Sequence, residues 1–104
     1  MKKYELRIAD DVGLDIDEIV ERKKTFGTYQ SNIEKFLEEI DLSYERLETS
    51  PTTGSNLSAR VDFQTKKKYF VIQDYLMIYE IIDDKIVHVS RILPAKSNWQ
   101  RTLL

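Results

Sequence analysis

Residues 75–82, Tyr-Leu-Met-Ile-Tyr-Glu-Ile-Ile, form an almost unbroken apolar run between Gln73-Asp74 and Asp83-Asp84. The run is short and rich in β-formers, which predicts a central strand buried on both faces. Such a strand needs a neighbour on each side and cover above and below. The flanking dipeptides read as two-residue turns. Tyr69-Phe70-Val71-Ile72 is then the strand before it, led in by Lys66-Lys67-Lys68. Residues 86–93 are the strand after it, stopped by Pro94.

The first half of the chain has a different period. Tyr4, Leu6 and Ile8 alternate with Glu5 and Arg7, as in a half-buried strand. Val12, Ile16, Ile19 and Val20 then recur at helical spacing, with Asp10 and Asp11 as expected N-caps and Gly27 as the expected stop. Acidic residues open this helix and Arg22, Lys23 and Lys24 close it, an order that complements the helix dipole. Ile33, Phe36, Leu37, Ile40, Tyr44 and Leu47 line one face of a second helix. Ser31-Asn32-Ile33-Glu34 reads as its capping box, with Thr28 as an earlier alternative. Thr49-Ser50-Pro51 ends it, because the residue before proline avoids helical geometry.

Residues 51–56 read as a loop, and Leu57, Ala59, Val61 and Phe63 alternate as a further strand would. Asn98 is placed to cap a short C-terminal helix containing Trp99 and Leu103. The expected architecture is a single α+β domain over residues 1–104, ordered β-α-α-β-β-β. A helical hairpin packs on one face of a mostly antiparallel sheet, and a short C-terminal helix follows. Two helices cover only one face. The other is solvated, filled by the tail or covered by a partner, and the apolar residues at both parities of 75–82 argue against leaving it bare.

Composition narrows the chemistry. The 104 residues include no cysteine, which removes disulfides, thiolate zinc sites and cysteine nucleophiles. No apolar run spans a bilayer and no signal peptide is visible at the start, so a cytoplasmic protein without membrane contact is expected. Metal-ligand spacing, a glycine-rich phosphate loop and a nucleophile elbow are all missing, so neither cofactor nor metal is expected. The net charge of −2 conceals an asymmetry: residues 1–50 carry −5 and residues 51–104 carry +3. Such a split marks either two surfaces with different partners or a solvated helical face beside a sheet.

Several side chains have both a functional and a structural reading. Lys66, Lys67 and Lys68 suit contact with phosphate or acidic groups, or protection of a strand edge. Arg91 lies in an apolar strand and needs a partner, Glu80 being one carboxylate at hand, unless it serves a groove. Tyr69, Tyr75 and Tyr79 can stack on bases or pack in the core. His88 reads as structural, with no second base evident beside it. Trp99 reads as an anchor for the tail.

The stretch Tyr75-Leu76-Met77-Ile78-Tyr79-Glu80-Ile81-Ile82-Asp83-Asp84-Lys85-Ile86-Val87, with Arg91-Ile92-Leu93, resembles the central hairpin of the RelE/ParE toxin superfamily. Asp15-Ile16-Asp17-Glu18-Ile19 and Phe36-Leu37-Glu38-Glu39-Ile40, with Leu47, Pro51 and Gly54, resemble its helices and the loop after them. The likeness covers nearly the whole chain. It implies the toxin of a type II toxin–antitoxin pair, a class tied to growth inhibition and plasmid stabilization, and a cognate antitoxin that wraps the toxin. RelE-like members cut mRNA on the ribosome, whereas ParE-like members inhibit DNA gyrase without a nuclease centre. Leu76 stands where RelE-like enzymes place an arginine, Lys96 replaces a catalytic arginine, and the tail supplies no His or Tyr. The resemblance is therefore closer to the ParE-like branch, in which Pro94-Ala95-Lys96-Ser97-Asn98-Trp99 overlies a motif kept here as Lys96, Asn98 and Trp99. Candidate partner contacts are Lys66, Lys67, Lys68, Tyr75, Tyr79, Arg91, Lys96 and Trp99. A RelE-like ribonuclease would rely on Lys67, Arg91 and Lys96. A silent homologue kept for antitoxin binding is the third expectation.

Overall fold

The computed structural model describes residues 3–61 and 63–96. Two helices, α1 (Asp10–Thr25) and α2 (Gln30–Thr49), follow an initial strand β1 (Glu5–Ile8). The strands β2 (Ser55–Asn56), β3 (Lys68–Ile72), β4 (Tyr75–Ile82) and β5 (Ile86–Pro94) complete a five-stranded sheet of order β1-β5-β4-β3-β2. All pairings are antiparallel except β1 with β5, which the intervening helices make parallel. This is the expected α+β fold. The expected C-terminal helix, with Asn98 and Trp99, lies outside the described residues.

The helix ends differ from expectation in an instructive way. Asp10 and Asp11 lie inside the first turn of α1, where they face the positive end of its dipole, and the cap is Ala9. Ser31 is within α2, and Tyr29 holds its cap position without a side-chain bond, so no capping box forms. Gly27 does close α1. Its φ of 75° lets its N–H reach Lys24 O at 3.1 Å while Thr28 N–H reaches Lys23 O at 2.9 Å, a paired closure that favours glycine.

On the helix side, Val12 and Ile19 of α1 and Phe36, Ile40 and Leu47 of α2 meet Phe70, Ile72, Met77, Tyr79, Val87, Val89 and Ile92 of the sheet. The hydroxyl of Tyr79, fully buried, donates to Pro51 O at 2.5 Å and ties the centre of β4 to the loop after α2. A Cβ on Gly54 would lie 2.0 Å from that hydroxyl, so glycine is required there by space.

Among the described residues of 57–63 the expected strand does not form. Only Ser55 and Asn56 pair with β3, and Leu57–Ala59 is a 3-10 turn. Ser58 explains the change: its hydroxyl donates to Thr65 O at 2.9 Å and accepts from Thr65 N–H at 3.1 Å, replacing ladder bonds with a side-chain clasp. Leu57 then drops, fully buried, onto Leu76, Ile78 and Leu93. The loop thus covers part of the sheet face opposite the helices. That accounts for the second apolar parity of β4.

The β4–β5 turn also differs. Ile82 pairs with Ile86, so three residues rather than two make the bend, with Asp83 and Asp84 at φ of 52° and 55°. A bulge at Ser90 follows, because Ile78 pairs with Arg91 and Tyr79 with Val89.

Candidate functional site

Two features can carry function: a clamp between α1 and β5, and the polar part of the sheet face that the helices leave open. The clamp begins with β1 ending at Ile8, which leaves the far half of β5 without a strand on the side away from β4. Asp15 fills the gap. It projects from α1 between Val12 and Ile19 and is 8% exposed. Its carboxylate accepts Arg91 Nε at 2.8 Å and Nη2 at 2.9 Å, and also the Ile92 backbone N–H at 3.0 Å. One carboxylate therefore satisfies both a charge and an orphan strand donor. The bond to Asp15 pushes the Arg91 guanidinium above its ordinary value. Next along β5, Pro94 has no N–H to leave unpaired. Beside the clamp lies a cleft of about 180 Å³ lined by Glu18, Arg22, Leu93 and Pro94 among others, with Glu18 and Arg22 paired at 2.8 Å.

Arg91 finds the carboxylate partner it was expected to need, in Asp15 rather than Glu80, and it also lines the cleft beside the clamp. Asp15 carried a legible signal, since it interrupts the apolar stripe of α1 at a buried position. A carboxylate there needs a partner.

On the open face, Lys67 immediately precedes β3. Its Nζ lies 3.3 Å from the hydroxyl of Ser90 at the bulge, and that hydroxyl donates to Ile78 O at 3.2 Å. Strand register puts Glu80 opposite His88, and Arg7 beside His88 on the other side. The row from β1 through β5 to β4 thus runs from Arg7 through His88 to Glu80, and His88 does have a carboxylate next to it. Sequence reading missed this because a two-residue turn at 83–84 places Glu80 one residue out of step with His88.

The remaining candidates are dispersed. Tyr79 is buried in the helix-side core, which removes it from partner contact in this fold, and burial raises its pKa to about 12. Tyr75 packs its ring 5.3 Å from that of Phe36, with Lys23 Nζ 5.5 Å above it. Tyr69 lies beneath the Arg60 guanidinium, which donates from Nε to its hydroxyl at 2.9 Å. Lys68 reaches Asn56 Oδ1 at 2.9 Å. Lys66 and Lys96 are exposed. Trp99 is outside the described residues. The structure thus brings Lys67 to Ser90, next to Arg91 in the chain, but turns Arg91 to α1. Among the described residues no group of carboxylates and His can hold a metal ion, and no helix is long and apolar enough to cross a membrane.

A helical hairpin packed on one face of a mixed five-stranded sheet makes this an α+β fold. The sequence matches the family model described as ParE toxin of type II toxin-antitoxin system, parDE, over residues 6–99, and the chain belongs to that family. A solved structure described as "Chromosomal ParDE TA system from P. aeruginosa" superposes with a TM-score of 0.70 at 12% identity, covering 92% of this chain and 100% of that one. No curated protein matches the sequence.

Proposed function

We propose that this type II toxin is ParE-like in action: it binds a protein target such as DNA gyrase, works in the cytoplasm, and is neutralised by a cognate antitoxin encoded with it. Membership of the ParE family supports the reading, as does the fold shared with a protein described as part of a ParDE system. The observation that carries it is the state of Arg91. Two of its nitrogens are committed to Asp15, so the cation that a RelE-like centre would need serves instead to join α1 to the sheet. The partly covered sheet face, onto which Lys67 reaches at Ser90, is the surface offered to an antitoxin segment. A disordered tail folding onto such a surface gains area as it orders.

The test is expression of the chain alone, followed by an assay of purified gyrase for stabilised cleavage complexes. Growth arrest with cleavage complexes is expected, and co-expression of the adjacent small reading frame should abolish both. Unchanged gyrase at excess protein overturns the reading, and unimpeded growth favours a silent homologue.

One observation favours a second reading as a ribosome-dependent mRNA endonuclease. Glu80 and His88 face each other on the side where Lys67 sits, which places an acid–base pair near a cation. Primer extension on translated mRNA would then show A-site cuts that Glu80→Gln and His88→Gln remove.

A further inference from the structure

We propose that the bare margin of β3, beside α2, is a separate docking edge that takes an extended protein segment as an added strand, apolar at alternate positions and flanked by Lys or Arg. The three lateral margins of the sheet are treated differently. β1 is fastened at its start, where Tyr4 N–H donates to Glu48 O at 2.7 Å, and carries exposed Glu5 and Arg7. The free half of β5 is closed by Asp15 and Pro94. On β3 the partner strand β2 reaches only Lys68 and Tyr69. Leu57 N–H donates to Lys67 O on that same side, so strand alternation turns the N–H and C=O of Val71 outward, beyond the end of β2. No proline, bulge or charged side chain of β3 guards that position.

The surroundings are apolar at the centre and acidic at the rim. Val71 is 60% exposed and Leu42 on α2 is 56% exposed. Both line a cleft of about 210 Å³ with Glu39, Ser43, Ile72 and Gln73. Gln73 donates to Glu39 at 2.8 Å and closes one end. An added strand would turn alternate side chains toward Leu42 and toward Val71. Charge selects the occupant. Glu38, Glu39 and Glu45 lie one turn from Leu42, and the basic neighbour there, Arg46, is stacked 4.5 Å over the Phe70 ring. Overall α2 holds six acidic and two basic residues. A second copy pairing at this edge would bring two acidic helices together, whereas a segment with basic flanks meets opposite charge. This inference does not depend on the toxin reading, and gyrase data leave it untouched.

The probe is a blocked peptide, Lys-Val-Thr-Val-Lys, titrated into the isotope-labelled full chain and followed by amide NMR. Saturable shifts at Val71 and Leu42 are expected, with slowed exchange of the Val71 amide. The matched peptide Glu-Val-Thr-Val-Glu should bind at least about tenfold more weakly, a gap of about 1.4 kcal/mol. Leu42→Lys, a change at an exposed site that leaves the fold's spectrum intact, should weaken the basic peptide by a similar factor. Val71→Pro should do so by removing the outward N–H. The proposal fails if the two peptides bind alike or not at all, if shifts fall elsewhere, if the Val71 amide is already protected in the free chain, or if the chain self-associates through this margin.

Discussion

The two faces of the sheet are covered by different means. On one side α1 and α2 lay long apolar stripes on the strands, and among the described residues twelve buried side chains form one continuous core. On the other side a loop with one short 3-10 turn contributes a single fully buried anchor, Leu57, over Leu76, Ile78 and Leu93. Helices satisfy their own backbones and so can be all packing. The loop must satisfy its backbone through Ser58, and only a few side chains are left to pack. The first face is held by two continuous apolar stripes and the second by a single anchor, so the two should respond differently to loss of one side chain.

That contrast can be broken by substitution. Phe36→Ala on the helix side should cost the most, about 3–5 kcal/mol, because its ring packs on Tyr75 and beneath Lys23 and the helices limit collapse. Chemical denaturation with unchanged slope measures it. Asp15→Ala should follow at about 2–4 kcal/mol, since it leaves Arg91 without its partly buried partner and Ile92 N–H without an acceptor. Asp15→Asn should recover part of that loss, and equal loss in both variants would contradict the charge-pair account. Leu57→Ala should cost about 2–3 kcal/mol, the low end for a buried leucine, because a loop can settle into the space. A loss as large as that of Phe36→Ala would erase the distinction between the faces.

The smallest effect is one of pH. Burial raises the Tyr79 pKa from 10.0 to about 12, so its neutral form is favoured in the fold. The unfolded chain releases this proton first as pH rises, so stability is constant below pH 10 and falls between 10 and 12, by on the order of 2 kcal/mol. Denaturation midpoints across this window, compared with Tyr79→Phe, measure it. The variant should lack this component.

Much of the fold was legible in the chain because periodicity reports it directly: the helices and strands β1, β3, β4 and β5 stand where their apolar spacing places them. The segment 57–63 misled because Leu57 and Val61 have a strand's alternation, while Ser58 found a closer partner in Thr65. The capping residues misled because polar side chains near a helix start are equally at home inside its first turn. The site was less legible. Arg91 was visible, but its partner lies 76 residues away in sequence. The Glu80–His88 pairing depended on one residue of turn length.

The bulge at Ser90 has a consequence for how the hairpin assembles. Nine residues of β5 span the same ladder as eight of β4. Val87 and Val89 face the helices before the bulge and Ile92 faces them after it, so the inward set moves from odd to even numbers. Sliding β5 by one residue cannot bring both halves into phase: whichever half gains, the other turns its valines or Ile92 away from the core. The extra residue thus works like the offset tooth of a key, leaving the two strands a single alignment in which to lock.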